Sequence, residues 1–289
     1  MKSITDKLRQ LIKEEGILIV PGAYDALSAR IIQRAGFKTL LMGGYSIAAS
    51  RLAQPDIGNL TLTEMVDALK LITDAVDLPV IADGDTGYGN PLSVRRTVKE
   101  YEKAGASAII FEDQVSPKRC GHIQGKEVIP AQEHVQKIRA ACDARTIDNT
   151  MIIARTDARA VLGLDEAIER GEMYLQAGAE ALFIEAPQGI DELERIGQSF
   201  PGVILIANMV EGGRTPILTS KELQQLGFKM VFWPCTALYT LAHSLENVFR
   251  DLHKYGSTIN NQERMLNFGQ FNELVGLEAY LQLQNKYKV

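Results

Sequence analysis

The unit of sequence that decides the fold is Ala104-Gly105-Ala106-Ser107-Ala108-Ile109-Ile110-Phe111-Glu112-Asp113. Gly105 follows a segment of helical period and is the residue type expected just past a helix end, in a left-handed cap. Ser107–Phe111 is a short continuous apolar run, which is typical of a strand buried on both faces. Two acidic residues come directly after it. The stretch therefore predicts a helix, its cap, a buried strand and polar side chains at the carboxyl end of that strand.

The same unit recurs along the chain, with an Ala-Gly or Leu-Gly pair before the strand at Gly36, Gly178 and Gly227. Amphipathic helical segments are predicted at 26–34, 62–75, 92–103, 131–141, 164–176 and 220–225. The predicted strands are Ile17–Val20, Thr39–Met42, Val80–Ala82, Ser107–Phe111, Met151–Ala154, Ala181–Ile184, Val203–Ala207 and Met230–Trp233. Eight buried strands alternating with helices favour an α/β fold of the (β/α)₈ TIM barrel type. A doubly wound open sheet is the alternative, but Gly84–Gly89 (GDTGYG) lacks the glycine spacing of a dinucleotide site.

Length, composition and charge narrow the class of protein. The chain has 289 residues, of which 46% are hydrophobic and 23% charged, and this suits one large barrel. A net charge of −5 without a basic block argues against nucleic acid as the main partner. The three cysteines form no CxxC pair, so we expect reduced thiols. The charged amphipathic start and the absence of a bilayer-length apolar run predict a cytoplasmic protein without a membrane partner.

The chain continues well past the eighth strand. Residues 236–289 exceed what one closing helix needs, and Asn267–Glu278 carries an apolar face that requires a covering partner. We expect a C-terminal helical extension within a single domain, 1–289, and we favour a neighbouring subunit as the partner of this face.

Polar residues follow nearly every predicted strand, where barrel enzymes carry their active sites. One or two such residues are ordinary, because strands end in polar positions, but six consecutive strands supplying them indicate a site. The residues are Gly43, Gly44, Tyr45 and Ser46 after the second strand, Asp83 and Asp85 after the third, Glu112 and Asp113 after the fourth, Arg155, Thr156 and Asp157 after the fifth, Glu185 after the sixth, and Asn208 and Glu211 after the seventh. The eighth strand is followed by Pro234, which has no polar side chain.

Three of these acids form a candidate metal site. Asp83 and Asp85 stand two apart in a segment expected to be extended, so both carboxylates point the same way, with Glu112 nearby. An oxygen-only set suits Mg²⁺, with Mn²⁺ as the other candidate, although a solvated acidic turn would have the same composition. The absence of an HxxxH motif and of paired cysteines argues against zinc.

Two further elements are suited to bind an anionic substrate. Gly43 and Gly44 offer backbone N–H groups to a carboxylate and Ser46 offers a hydroxyl, although a plain tight turn explains the glycines equally well. Arg155 offers a fork of donors to a carboxylate or a developing oxyanion, and an ion pair with Asp157 or Glu185 is the structural alternative. Three of the four histidines, His134, His243 and His253, fall in helical segments and are expected to be structural or exposed.

Lys118-Arg119-Cys120-Gly121-His122 is the most concentrated group of reactive residue types. Fixed positive charge beside the Cys120 thiol predicts a lowered pKa and proton exchange near neutrality. Gly121 permits a close backbone approach to a ligand or a gating motion. A basic surface loop with an incidental cysteine is the alternative.

Together, six motifs resemble the isocitrate lyase/PEP mutase superfamily across nearly the whole chain. They are KRCGH (118–122), DGDTG (83–87), IFEDQ (110–114), ARTDA (154–158), IEAP (184–187) and ANMVEGGRTP (207–216). The resemblance implies a Mg²⁺-dependent (β/α)₈ barrel that acts on 2-oxo or 2-hydroxy acids. It also implies an eighth helix swapped between subunits, in a tetramer built as a dimer of helix-swapped dimers.

The KRCGH loop places the chain in the lyase branch of the superfamily. The resemblance implies a 2-hydroxy dicarboxylate on the metal, with Asp85 as the main ligand and Asp83 and Glu112 binding directly or through water. Cleavage of the C2–C3 bond would leave pyruvate or a relative, and Cys120 would protonate the other fragment. The remaining candidate residues are Lys118, His122, Arg155 and Glu185 for catalysis, and Gly43, Gly44, Tyr45, Ser46, Gly121, Asn208 and Pro234 for substrate binding.

Departures from the family pattern narrow the substrate. Tyr239 and Phe271 stand where methylisocitrate lyases carry two arginines for a third carboxylate, which predicts a smaller and more apolar C3 substituent. Pro234 stands where oxaloacetate hydrolases carry a serine, and Leu41 stands where methylisocitrate lyases carry a tyrosine, for which Tyr45 is a candidate substitute. We therefore expect 2,3-dimethylmalate, cleaved to pyruvate and propionate. The alternatives are methylisocitrate lyase, oxaloacetate hydrolase, a carboxyphosphonoenolpyruvate mutase-like enzyme and a non-catalytic dicarboxylate-binding barrel.

Overall fold

A computed structural model of the chain describes residues 4–288 and shows a closed, all-parallel barrel of eight strands in sequential order. The predicted (β/α)₈ architecture is confirmed, and the open-sheet alternative is wrong. The strands are β1 Leu18–Ala23, β2 Leu40–Met42, β3 Val80–Asp83, β4 Ala106–Glu112, β5 Met151–Thr156, β6 Ala181–Ile184, β7 Ile204–Asn208 and β8 Met230–Trp233.

Helices surround the barrel and continue after it. They are α1 Ile4–Lys13, α2 Ala26–Arg34, α3 Gly44–Leu52, α4 Leu62–Ala75, α5 Pro91–Lys103, α6 Ala131–Ala144, α7 Ala158–Leu162, α8 Leu164–Gln176, α9 Ile190–Ser199, α10 Ser220–Gln225, α11 Thr236–Tyr255, α12 Phe268–Leu274 and α13 Leu277–Lys286, with a 3₁₀ turn at Ile259–Arg264. Among residues 4–288, no helix combines the length and the apolar composition that crossing a bilayer requires.

The repeated glycines have the predicted backbone conformation. Gly36, Gly105, Gly178 and Gly227 all lie in the left-handed region, with φ between 90° and 110°. Their N–H groups close the preceding helices, for example from Gly105 to the Glu102 carbonyl at 3.0 Å. Each helix is therefore stopped at a residue without a Cβ, and the chain turns directly into the next buried strand.

The barrel interior is filled by apolar side chains from all eight strands, including the perpendicular pair Phe183 and Phe232. Leu8 and Ile12 of α1 belong to the same buried cluster. Lys7 of α1 donates to the Asp77 carbonyl, just before β3, so α1 covers the amino-terminal end of the barrel. The opposite, carboxyl-terminal end is left for polar side chains.

The chain divides into two compact units, Met1–Thr236 and Ala237–Val289. The first holds the barrel, and the second holds most of α11 together with α12 and α13. The apolar segment Asn267–Glu278 spans parts of two helices, α12 and α13, which are separated at Gly276, where φ is left-handed at 79°. The C-terminal helical extension is confirmed, whereas the single domain 1–289 and the helix swap stay predictions.

Candidate active site

The barrel brings the predicted strand-end residues to one rim. Asp83, Glu112 and Asn208 are the last residues of β3, β4 and β7, and Glu185 directly follows β6. Glu112 lies in register with Arg155 of the neighbouring β5. Polar groups from consecutive strands therefore face one another above the apolar interior.

Asp83 and Asp85 are joined by a tight turn. The predicted extended conformation is wrong, because Asp85 has a left-handed φ of 48° and its N–H donates to Asp83 Oδ1 at 3.0 Å. The Tyr88 hydroxyl donates to Asp85 Oδ2 at 2.9 Å. The two carboxylates still share one space, since a Cβ added to Gly44 would lie 3.0 Å from Asp85 Oδ1 and 3.2 Å from Asp83 Oδ2.

Residues 43–46 begin a helix rather than a plain turn. Gly43 is the N-cap of α3, and the Gly44 N–H donates to Asp83 Oδ2 at 2.9 Å. The Ser46 hydroxyl donates to the Pro234 carbonyl at 3.2 Å, and Tyr45 is half-buried. The Gly44 N–H and the Ser46 hydroxyl, which we expected to bind a substrate, thus donate to other groups of the protein. The assignment of residues 43–46 to substrate binding stays a prediction.

Lys118 reaches the acids from the loop that follows β4. Its ammonium lies 2.8 Å from Asp56 Oδ2 and 2.7 Å from Asp85 Oδ1, and all three side chains are buried. Burial alone would lower the pKa of Lys118, but Asp85 and Asp56 hold this pKa well above its ordinary value. Sequence reasoning missed Asp56, because this acid lies beyond α3 and does not directly follow a strand.

Two acids of the rim, Asp85 and Glu112, carry raised pKa values. Burial raises the pKa of Asp85 to about 6, with Asp83 and Asp56 acting in the same direction and Lys118 opposing. Burial likewise raises the pKa of Glu112, against the effect of Arg155. Glu112 Oε1 is buried without a hydrogen-bond partner, whereas the buried Asp85 Oδ1 is paired with the Lys118 ammonium. Such carboxylates are stabilised by a cation, so the donor set fits a hard divalent ion.

As they are placed, residues 4–288 contain no group of three His, Cys, Asp or Glu side chains close enough together to hold a metal ion. The assignment of Asp83, Asp85 and Glu112 as ligands therefore stays a prediction.

Arg155 is surrounded by three acids. Its Nε lies 2.9 Å from Asp157 Oδ2, and its Nη2 lies 3.3 Å from Glu112 Oε2 and 3.2 Å from Glu185 Oε2. The guanidinium also packs on the Phe183 ring at 5.1 Å. The predicted ion pairs with Asp157 and Glu185 both exist, and they fix the plane of the fork at the centre of the rim.

The Cys120 thiol is protonated at neutral pH. The predicted lowering of its pKa is wrong, because burial raises the pKa of Cys120 to about 11. The two neighbouring cations are bound to groups other than the thiol. Lys118 binds Asp56 and Asp85, and Arg119 donates to the Gln124 carbonyl at 3.1 Å. The Cys120 N–H donates to the Asp56 carbonyl at 3.0 Å. The site therefore holds a proton donor rather than a thiolate.

Gly121 allows the loop to touch the rim. A Cβ at this position would lie 2.4 Å from Glu185 Cγ and 2.6 Å from Arg155 Nη2. His122 follows, with Nε2 at 3.4 Å from Glu185 Oε1. Although burial opposes it, the cationic Arg155 and the contact with His122 lower the pKa of Glu185, which stays ionised.

The loop after β7 fixes the other side of His122. The Arg214 N–H donates to His122 Nδ1 at 3.0 Å, so the ring proton of neutral His122 stands on Nε2, facing Glu185. Arg214 Nε also donates to the His122 carbonyl at 3.2 Å. Sequence reasoning quoted this segment only as a motif and did not select Arg214, because a backbone donor leaves no signal in residue type.

The remaining candidates lie on the same rim. Asn208 Nδ2 donates to Glu185 Oε2 at 3.2 Å, and Asn208 Oδ1 is buried without a hydrogen-bond partner. The Pro234 carbonyl accepts from Ser46.

The three histidines predicted to be structural or exposed are so placed. His134 is buried edge-on against Tyr174 and burial lowers its pKa to about 3, which confirms a structural histidine. His243 and His253 are exposed on α11, as expected.

Sequence comparison identifies relatives over almost the whole chain. The family described as phosphoenolpyruvate phosphomutase matches residues 8–253. The 2,3-dimethylmalate lyase of Eubacterium barkeri is 46% identical over 97% of this chain and 97% of its own. A 2-methylisocitrate lyase of Aeropyrum pernix is 40% identical over 94% of this chain and 87% of its own.

Solved structures of related enzymes superpose on almost the whole chain. A 2,3-dimethylmalate lyase, described as a PEP mutase/isocitrate lyase superfamily member, superposes with a TM-score of 0.93 at 33% identity, over 99% of this chain and 96% of that one. An oxaloacetate acetylhydrolase bound to 3,3-difluorooxalacetate gives 0.94 at 33% identity, over 98% and 97%. A phosphonopyruvate hydrolase bound to oxalate and Mg²⁺ gives 0.90 at 30% identity, over 99% of both chains.

Proposed function

Because this chain belongs to the PEP mutase/isocitrate lyase superfamily, we propose that it is a carbon–carbon lyase that cleaves 2,3-dimethylmalate between C2 and C3, giving pyruvate and propionate. The observation that carries the proposal is the half-buried, protonated Cys120 thiol, held by its loop beside Arg155 and Glu185. A lyase of this kind must deliver a proton to carbon, and a neutral thiol carries one.

We propose Mg²⁺, with Mn²⁺ as the other candidate, bound by Asp85 with Asp83 and Glu112 directly or through water. The support is the oxygen-only donor set, in which Glu112 Oε1 is buried without a hydrogen-bond partner, together with the Mg²⁺ present in a structural relative. When bound, the ion would polarise the substrate's C2 oxygen and carboxylate and stabilise negative charge on them.

The chain's own residues supply positioning and proton transfer. Arg155 is held at the rim by Asp157, Glu112 and Glu185, and its positive charge stabilises negative charge that develops on the C2 oxygen. As the C2–C3 bond breaks, its electron pair stays on C3, the C2 hydroxyl passes its proton to a general base or to water, and C2 becomes the carbonyl carbon of pyruvate. The Cys120 Sγ–H then donates its proton to C3, which completes propionate. His122 and Glu185 hold the loop and the guanidinium in place during this step.

The remaining assignments follow from the same proposal. Gly43, Gly44, Tyr45, Ser46, Gly121, Asn208 and Pro234 line the substrate's surroundings, and Lys118 balances the charge of the acids. The protein would be a cytoplasmic homotetramer, a dimer of helix-swapped dimers, with a small 2-hydroxy dicarboxylate as its partner. The exposed apolar residues of α11 support the assembly, and the free cysteines support a reducing compartment.

The decisive experiment measures pyruvate release from 2,3-dimethylmalate and 2-methylisocitrate, and oxalate release from oxaloacetate, with and without Mg²⁺. We expect the highest kcat/KM for 2,3-dimethylmalate, loss of activity on chelation, and a fall of about 10²–10⁴-fold in Cys120→Ser. Preference for 2-methylisocitrate would overturn the expectation from Tyr239 and Phe271. Oxalate as the main product would identify a hydrolase, and binding without any turnover would identify a dicarboxylate-binding barrel.

A further inference from the structure

A buried lysine that the reaction itself does not use connects the Cys120 loop to the barrel rim. The side chain of Lys126 is 2% exposed, and its ammonium lies 2.7 Å from Asp157 Oδ1. The same ammonium donates to the carbonyl oxygen of Gly121, the residue between Cys120 and His122. An ammonium group has three donors, so one side chain can bind a carboxylate and a carbonyl together.

Asp157 joins this contact to Arg155. Its carboxylate accepts from Arg155 Nε at 2.9 Å and Nη2 at 3.2 Å while it pairs with Lys126. Although burial opposes it, Arg155 and Lys126 lower the pKa of Asp157, so the acid stays charged between two cations. The orientation of Arg155 and the position of Gly121 therefore depend on one shared carboxylate.

A hydrogen bond to Asp113 holds the backbone of Asp157 in place. The Asp157 N–H donates to Asp113 Oδ1 at 2.9 Å, and Asp113 Oδ2 accepts from Thr156, Tyr174 and Arg170. Arg170 also donates to the Ile129 carbonyl at 2.8 Å, where the loop returns to the barrel. The base of the loop is thus rigid, while its reactive segment reaches the rim through the Lys126 bridge.

We propose that Lys126 is a positioning residue whose ammonium clamps the Gly121 carbonyl to Asp157 and thereby aims the Cys120 thiol and the Arg155 guanidinium at the same point. The proposal rests on the proposed lyase function for its catalytic consequence. Its structural consequence is that Lys126 holds the Cys120 loop against the rim, and this is measurable without substrate. A displacement of about 1 Å in a reacting group costs on the order of 10²-fold in rate, so a clamp of this kind controls turnover.

Lys126→Met tests the clamp, with Lys70→Met, on the exposed face of α4, as the matched control. The first readout is the rate of Cys120 alkylation by iodoacetamide without substrate, followed by peptide mass spectrometry. We expect a rise of about tenfold or more in Lys126→Met, because a released loop exposes the thiol, and no change in Lys70→Met. Lys126→Arg, which keeps the charge and the donors, should restore a slow rate.

The second readout is steady-state kinetics. We expect kcat of Lys126→Met to fall by about 10²-fold with a smaller change in KM, since the clamp positions reacting groups. An unchanged alkylation rate in a folded Lys126→Met protein would overturn the clamp whatever the enzyme's substrate. Faster alkylation without detectable lyase activity in the wild type would keep the clamp and reject the proposed function. Should Lys126→Met fail to fold, Lys126→Gln carries the same expectations.

Discussion

Nζ of Lys118 lies 2.7 Å from Oδ1 of Asp85, so the loop that carries the thiol is tied by an ion pair to the acid that follows β3. Asp56 holds the same ammonium from the loop between α3 and α4. Removing one member of a buried pair costs about 3–5 kcal/mol, because the other charge is left in a medium of low polarity. Three loops of the rim therefore hold one another by charge.

The raised pKa of Cys120 makes thiol reactivity a direct measure of its surroundings. A raised pKa leaves more of the thiol protonated at every pH, so the reactive thiolate is scarce until the pH approaches about 11. We expect the alkylation rate of Cys120 to rise about tenfold per pH unit from pH 7 to 10 without levelling off. Glutathione under the same conditions should level off near its ordinary thiol pKa. A plateau for Cys120 below pH 9 would contradict burial as the dominant effect.

Gly121→Ala should inactivate the enzyme without unfolding it. The added methyl group would lie 2.4 Å from Glu185 Cγ and 2.6 Å from Arg155 Nη2, so the loop must move away from the rim. We expect kcat/KM to fall by about 10²-fold or more while Tm stays within a few degrees of wild type. Gly269→Ala, where the nearest atom is 3.4 Å from the added Cβ, is the matched control. Normal activity of Gly121→Ala would show that the loop tolerates a different position.

Tyr174→Phe should weaken the buried network around Asp113. The phenol donates to Asp113 Oδ2 at 2.8 Å, and its removal leaves Thr156 and Arg170 as partners of that oxygen. We expect the free energy of unfolding to fall by about 1–3 kcal/mol, measured by urea denaturation. Tyr280→Phe, at an exposed position of α13, should leave the free energy unchanged. Equal stability of Tyr174→Phe and wild type would mean that the hydrogen bond contributes nothing net.

Phe249→Asp tests the proposed assembly. Leu241, Leu245, Phe249 and Leu252 repeat at helical spacing on α11, and all of them are exposed, Phe249 by 58%. A carboxylate placed on a face that packs against another subunit must be desolvated there. We expect a smaller particle by size-exclusion chromatography with light scattering, and an unchanged particle for Glu246→Ala on the same helix. An unchanged mass for Phe249→Asp would remove this face from the interface.

The strands and caps could be predicted because their causes are local. A buried run such as Ser107–Phe111 needs only apolar residues, and Gly105 needs only the freedom to adopt a φ of 93°. Helix α3 was missed because it begins at two glycines, which favour a turn. Its stability comes from Ile47 and Ala48, which are buried in the main hydrophobic cluster, and that packing is invisible in a local pattern.

The site was predicted in its residue types and not in its electrostatics. Cys120 has two cations beside it in sequence, yet both side chains point to other partners and burial decides its pKa. The turn at Asp85 depends on tertiary contact, because a Cβ on Gly84 would lie 2.7 Å from the Ile110 carbonyl oxygen. Asp56, Lys126 and Arg214 act through contacts between segments far apart in sequence, which no spacing rule reveals.

A short antiparallel bridge between Gln114 and Val128 joins the two ends of the loop that carries Cys120. The Val115 N–H donates to the Glu127 carbonyl at 2.9 Å, and the Ile129 N–H donates to the Asp113 carbonyl at the same distance, so the chain leaves and re-enters the barrel at one point. Residues 115–127 are therefore an insert whose two ends are held side by side. Because of this, a change of length within the insert does not change the distance between the end of β4 and the start of α6.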